Sequence, residues 1–449
     1  MTSGTRKHSK PTAANSELLD RGHESRLLGN QEDALRIAIT ILEAAPGHSG
    51  AALLSAMLLR DAKRTEQARP VAKRLVDGFV RRGDLPCAVL AARLAADLGE
   101  KVTPLFESIA NAFGKGSSRV ADVAPKPPPL PAGEFDETTL AFEMEDALLA
   151  RLERALQAFL ATTDDVPEKS RLPLYPLFGG LTPRELAKLL EVVTVREVGP
   201  NEVLVTQGDD GEEAFVVVRG YLEAFREHDG SAPVLLAALG AGSIVGEMSL
   251  VSQSPRAATL IASEPTTLLV VARDALEGLA SKEPTISREL ASFCHTRMIA
   301  NLMRHSAILD AVSVEKRASL IECFEAKTFS PGETLVKRDA ESQGLFLIAS
   351  GSVEVVRADA DGERLVIANL GPGDVVGEIS LVLRRPATAD VVARHPTVAL
   401  ELTRRAFEAA IREHPTLLNQ LYDLATKREE ETRNVIRTET LDADDFLLV

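Results

Sequence analysis

The sequence predicts a multidomain α+β protein, with N-terminal α-helical hairpins followed by two copies of a small β-barrel or jelly-roll domain carrying helical flanks. Three observations point there. A chain of 449 residues has room for about three domains. Ala and Leu recur at three- and four-residue steps over about 16–113, the period of packed helices. Shifting the chain by 131 residues then lays the segment 181–285 onto a second segment in one constant register.

The elements follow in order. Residues 1–15 are polar and basic and read as a frayed tail. In the helical module, 16–113, Leu27-Leu28-Gly29, Ala34 and Pro46 put a glycine at an inter-helix turn, a small residue at the packing face and a proline past the second helix. That spacing resembles a tetratricopeptide hairpin, whose period is about 34 residues. Ala68 falls 34 residues after Ala34, whereas Gly83 falls out of phase, and a plain helical bundle stays open. Residues 114–138 hold Pro125-Lys126-Pro127-Pro128-Pro129-Leu130-Pro131, which favours extended backbone and reads as a semi-rigid linker. The connecting segment 139–171 opens with an amphipathic helix over 139–160, striped by Leu140, Met144, Leu148, Leu152, Leu156 and Leu160.

The two repeats occupy 172–304 and 305–430. Pro200 meets Pro331, Glu202 meets Glu333, Phe215 meets Phe346, Gly220 meets Gly351, and Pro284 meets Pro415. A register held that long means one domain copied, not a solenoid of small units. Strands are predicted at 203–205 and 214–218 in copy one and at 345–348 and 353–356 in copy two, with hairpin turns at Asp229-Gly230 and Asp361-Gly362. After a last strand, 267–272 and 398–402, the pattern turns helical over 274–304 and 405–428. Residues 431–449 read as an acidic tail.

Composition narrows the function. Hydrophobic residues are 45% and charged residues 26%, which is too apolar for a disordered chain. A net charge of −15 argues against nucleic acid as a partner, since a polymer of phosphates needs clustered Lys and Arg. No run approaches the roughly 18 apolar residues of a membrane span, and the start is no secretory signal. Cys87, Cys294, Cys323 and the eight histidines are scattered, which predicts no metal site and a reducing, cytoplasmic setting. With no Ser/His/Asp set, P-loop or kinase loop, the chain does not read as an enzyme.

At the centre of copy one stand Gly246-Glu247-Met248-Ser249-Leu250, Val251-Ser252-Gln253-Ser254 and Pro255-Arg256-Ala257-Ala258-Thr259-Leu260. This run resembles the phosphate-binding cassette of cyclic-nucleotide-binding domains, most closely that of regulatory subunits of cAMP-dependent protein kinases. The resemblance covers about 172–430. It implies that Gly246 lets backbone approach the sugar and that the Glu247 carboxylate accepts the ribose 2′-hydroxyl. Met248 to Ser252 would form a helical turn with N–H groups aimed at the phosphate, and Arg256 would fork onto its oxygens. Ala257 and Ala258 are small, so the Ala257 N–H reaches the phosphate too. Leu250 is expected to face the C-terminal helix and relay occupancy, and Phe293, Met298 and Asn301 are candidates to cap the base.

Copy two departs from this pattern. Gly377, Glu378 and Ser380 are kept, but Ala387 and Thr388 replace Arg256 and Ala257. Glu378 and Asp390 would then meet a phosphate with net negative charge, each missing unit interaction near 4 Å being worth up to ~4 kcal/mol at an effective dielectric of about 20. Copy two is therefore expected to be degenerate, a structural or dimer-forming copy, with Arg384 and Arg385 as the nearby cations that could swing in. Leu383-Arg384-Arg385-Pro386-Ala387-Thr388 looks like a kinase site but reads as a loop of this cassette.

The expected function is a receptor that binds cAMP in copy one and relays it to a protein partner through the N-terminal helices or the C-terminal tail; a homodimer also fits. In families that prefer cGMP, Thr often follows the arginine; Ala257 stands there, which favours cAMP and leaves cGMP open. No cofactor is implied. A scaffold with non-binding barrels is the alternative. A transcription regulator of the catabolite-activator type needs roughly 60–70 residues of helix-turn-helix, and about 20 follow Arg428.

Overall fold

The computed structural model describes residues 14–445 except 122, 124–142, 164–165, 168–169, 176–177, 228–231, 253–254, 311, 342–343 and 359–363. The tail before residue 14, the proline run of the linker and both Asp-Gly turns lie outside the described residues. The chain forms two compact units. One draws on 14–206, 214–245 and 258–289, the other on 207–213, 246–257 and 290–445.

The first unit begins with the helices Ala14–Leu27, Gln31–Ala44, Ser49–Asp61, Thr65–Arg82, Leu85–Asp97 and Val102–Phe113, each packed on the next. They pair as three hairpins. The turns sit on the left-handed residues Gly29 (φ +81°), Lys63 (+60°) and Gly99 (+90°), at spacings of 34 and 36 residues. Gly83, out of phase in the sequence, caps the C-terminus of Thr65–Arg82 between hairpins. Ala34 and Ala68 are fully buried, where a small side chain lets helices approach.

Three arginines tie the helices to copy one. Arg26 donates Nη1 and Nη2 to the two carboxylate oxygens of Glu197 at 2.8 and 3.0 Å, and Nε to Asp61 at 2.7 Å. Arg219 pairs with Asp20, and Arg93 donates to the Leu190 carbonyl while its guanidinium lies over the Phe106 ring. Planar, forked contacts of this kind set geometry as well as energy.

The linker and connecting segment differ from expectation. Residues 114–121 are not spacer: the Lys115 N–H donates to the Leu181 carbonyl at 2.7 Å, and Val120–Ala121 pairs in parallel with Leu172–Pro173. The connecting helix is Glu145–Ala161, with Glu145 and Asp146 in its first turn, where the helix dipole favours acids. Leu148, Leu152 and Leu156 are buried as expected, but Phe159 is buried beside them, Leu160 is half-buried and Met144 is exposed. Leu140 lies outside the described residues.

Each copy is built from two open four-stranded antiparallel sheets, so the closed-barrel alternative gives way to a jelly-roll sandwich. In copy one the first sheet runs Thr194–Val198, Thr266–Ala272, Glu213–Arg219, Ile244–Val245, and the second runs Val203–Val205, Thr259–Ala262, Leu222–Arg226, Val234–Leu239. Copy two repeats the same order, in one sheet as Glu325–Phe329, Thr397–Thr403, Gly344–Ser350, Val375–Val376 and in the other as Thr334–Val336, Asp390–Ala393, Val353–Ala358, Arg364–Leu370. Side chains of both sheets meet in one core: Phe215, Val217, Leu222 and Leu260 in copy one, Phe346, Ile348, Val353 and Val391 in copy two.

In copy two the strand Gly344–Ser350 is buried at every position because both faces are covered. Phe346 and Ile348 point into the sandwich, while Leu345, Leu347 and Ala349 face a second cluster with Phe407, Leu417 and Leu421. This is the period of two read straight through an uninterrupted apolar run. The last helix, Pro415–Asp445, overturns the acidic tail at 431–449 as far as residue 445. No glycine or proline follows Pro415 within it, and the pairs Lys427–Glu431 (3.7 Å) and Arg433–Glu429 (3.0 Å) have helical spacing. Residues 446–449 lie outside the described residues.

Candidate ligand-binding cassettes

The second unit holds both cassettes. In copy one the turn at Gly246 is left-handed (φ +77°), and a Cβ there would fall 2.4 Å from Arg256 Nη1 and 2.8 Å from the Glu213 carbonyl oxygen. Glycine is required on both counts. The helix Glu247–Ser252 follows, with Glu247 and Ser249 buried. Arg256 is 6% exposed. Its N–H donates to the Asp209 carbonyl at 2.8 Å, its carbonyl accepts from the Gly208 N–H at 2.9 Å, and Nη1 donates to the Gly246 carbonyl at 3.4 Å. The loop 207–210 therefore fixes the arginine backbone, and the side chain reaches back across the cassette to its start. Ala257 is exposed beside it.

The C-terminal helix of copy one, Pro284–His305, meets this cassette from Leu290 onward. Arg297 Nε donates to Glu247 Oε1 at 3.3 Å, and the Cys294 thiol donates to the Glu247 carbonyl at 3.6 Å. Burial, then the Glu247 carboxylate, pushes the Cys294 thiol up to about 12, with Arg297 acting against them. Met248 packs against a cluster that contains Met298 and Leu302. Met298 is thus a core residue and not a base cap; Phe293 is half-buried and Asn301 exposed. The Leu250 side chain lies outside the described residues; its equivalent in copy two, Leu381, is buried in the cluster with Leu417 and Leu421.

Copy two repeats the frame. Gly377 (φ +86°) precedes the helix Glu378–Val382, Glu378 and Ser380 are buried, and Arg428 Nη1 donates to Glu378 Oε1 at 3.0 Å and to the Val375 carbonyl. The Ala387 N–H donates to the Ala340 carbonyl at 3.0 Å, and the Ala387 carbonyl accepts from the Asp339 N–H at 2.9 Å, matching the loop that holds Arg256. Ala387 itself joins the sandwich core, with Thr388 half-buried next to it.

Two expectations about its charges change. Asp390 does not turn toward the cassette: its Oδ1 accepts the Arg338 N–H at 2.8 Å. Arg384 and Arg385 are exposed, and Arg385 Nη1 bonds Glu429 at 3.1 Å, so neither swings in.

Arg297 and Arg428 are the functional residues that motif reading missed. They sit 131 positions apart, so the overlay, extended past Pro284 and Pro415, contains the signal. Among the described residues no group of His, Cys, Asp and Glu could hold a metal ion, and no helix is long and apolar enough to cross a membrane.

Comparison with known proteins agrees with this geometry. Residues 195–283 and 326–414 each match the family described as cyclic nucleotide-binding domain. The chain is 28% identical over 233 residues to the type II regulatory subunit of cAMP-dependent protein kinase of Drosophila melanogaster, covering 52% of this chain and 58% of that protein. It is 23% identical over 231 residues to the corresponding regulatory subunit of Blastocladiella emersonii, covering 51% and 55%. The chain thus spans little more than half the length of these relatives. A solved regulatory domain of Toxoplasma gondii cAMP-dependent protein kinase, with cAMP, aligns over 57% of this chain and 92% of that one, at 22% identity and a TM-score of 0.27.

Proposed function

We propose, starting from two cyclic nucleotide-binding domains in tandem, that the chain is a regulatory receptor that takes cAMP in copy one and passes occupancy to a protein partner. The observation that carries this reading is Arg256, a buried guanidinium whose backbone is fixed on both sides by 207–210 and which stands in the copy that also keeps Gly246, Glu247 and Ser249. A cyclic phosphate monoanion is the bidentate partner such a fork accepts. Ala257 offers no hydroxyl to a guanine, which supports cAMP over cGMP. Met248, Ser249, Ala257 and Ala258 complete the proposed contact set.

Relay follows from what holds Glu247. Arg297 bonds its carboxylate, Cys294 its carbonyl, and Met248 shares the cluster of Met298 and Leu302. A ligand that reorients Glu247 acts on the helix through three contacts, and shifts it only as far as its affinity differs between the two arrangements. The regulatory subunits that the chain resembles make a kinase catalytic subunit the first partner to test, with regulation, not catalysis, as the role. The three helical hairpins, tetratricopeptide-like in spacing, are a second surface for a protein.

Isothermal titration of the full chain with cAMP tests the reading. One cAMP per chain is expected, and Arg256→Ala should weaken it by at least roughly 30-fold, about 2 kcal/mol, the lower end for losing one partner of a buried charge pair. Unchanged affinity in the variant would overturn it.

A further inference from the structure

Copy two encloses a cavity of roughly 770 Å³, counted with its open mouth, and it lies wholly within the second unit. That is the size of a small-molecule site. Val336, Val355, Leu370 and Val391 give it aliphatic walls, and Glu378, Ser380, Thr388, Arg428, Glu431 and Thr432 give it polar groups. A domain kept only for structure gains by closing such a space, since unfilled volume destabilises a core. Here the replacement of an arginine by Ala387 leaves the cavity open.

Its charge differs from that of the equivalent positions in copy one. The lining holds one arginine against two carboxylates, net −1. The arginine, Arg428, is already engaged by Glu378, by the Val375 carbonyl and by Asp374 at 3.9 Å. At the same places copy one has Arg256 for Ala387 and Ala300 for Glu431, which makes the set net +1. An anion entering the copy-two cavity loses water and meets like charge. A neutral ligand meets neither obstacle.

We propose that copy two is a working site for an uncharged nucleoside. The flat base lies between the aliphatic walls, and the ribose hydroxyls donate to the carboxylate of Glu378, which Arg428 holds in place. Thr388, Ser380 and Thr432 offer hydroxyls to the edge of the base. The role of Glu378 rests on the reading given to Glu247, but the binding event is separate from that of copy one.

The test uses the full chain carrying Arg256→Ala, so that copy one is silent, titrated with adenosine, guanosine and inosine and with cAMP and cGMP. One nucleoside per chain is expected, with the cyclic nucleotides at least tenfold weaker. Adding Ala387→Arg should invert that order. Glu378→Gln, which keeps the shape of the buried side chain, and Ala389→Phe, which fills the cavity, should each weaken the nucleoside at least tenfold, with circular dichroism confirming that the variants are folded. Binding that survives both substitutions would place the nucleoside elsewhere and overturn the proposal. So would the absence of nucleoside binding while the unsubstituted chain still takes one cAMP, or two cyclic nucleotides bound per unsubstituted chain. A chain that binds nucleoside but never cAMP would instead overturn the copy-one reading and leave this one standing.

Discussion

The two copies keep the same frame and differ in what the frame presents. Strand order, the left-handed glycine, the buried glutamate, the arginine that bonds it and the loop that brackets the cassette all recur 131 residues apart. One side chain at the far end of the cassette does not. In copy one it is a guanidinium that reaches back to Gly246; in copy two it is a methyl group in the sandwich core. The backbone of the cassette is therefore set by hydrogen bonds and packing that do not need the ligand-binding charge. Selection could change the charge without disturbing the fold, and did so in one copy only.

The largest stability effect expected from this comparison lies in the glutamate–arginine pairs. Glu378 is nearly inaccessible and Arg428 has 19% of its side chain exposed, against 35% for Arg297 in the copy-one pair. Removing one partner of a buried pair strands the other charge, at about 3–5 kcal/mol. A more exposed partner is better replaced by water, so its loss costs about 1 kcal/mol. Arg428→Ala should thus lower the unfolding midpoint in scanning calorimetry far more than Arg297→Ala. Equal shifts would mean that the two frames are held alike after all.

Next in size is the pair of glycines. Both occupy left-handed backbone, so alanine at either strains the turn by about 1–2 kcal/mol. Only in copy one does the added Cβ also run into the guanidinium of Arg256. Gly246→Ala should cut cAMP affinity by roughly tenfold or more, about 1.4 kcal/mol. Gly377→Ala should leave it where it was. If both variants titrate like the unsubstituted chain, Arg256 is not the phosphate ligand.

How much of this could be read from the sequence depends on the range of the interaction. The repeat was legible because prolines and glycines mark turns that each copy must make, and they survive where packing residues drift. The cassette was legible because its residues are contiguous. The arginines were not, since Arg297 and Arg428 meet their glutamates 50 residues away, on a helix whose own pattern says only that it is a helix. Lys63 hid the 34-residue spacing of the hairpins because a left-handed turn is sought at glycine, and a lysine took it. The acidic tail was misread for the opposite reason: composition was weighed and the i,i+4 pairing of its charges was not.

The smallest effect concerns a position where the copies differ by one atom of sulfur. Cys294 donates to the carbonyl of Glu247, and Ala425 occupies the equivalent place, fully buried, behind Glu378. At neutral pH Cys294→Ala should change stability by no more than about 1 kcal/mol. The difference appears in alkali. Burial raises the thiol from its ordinary 9.0 to about 12, so between those values the unfolded chain gives up a proton that the folded chain keeps. Stability present below pH 9 is then lost as pH rises, by about 1.4 kcal/mol at pH 10 and more beyond it. The alanine variant lacks that loss. Urea titrations of the two proteins at pH 7 and pH 10 should therefore cross, the variant becoming the more stable in alkali. Native alkylation gives the same answer by another route, with exposed Cys323 reacting at pH 8 and Cys294 protected. Parallel urea curves, or equal alkylation of the two thiols, would show that the contact between Cys294 and the cassette is not maintained in solution.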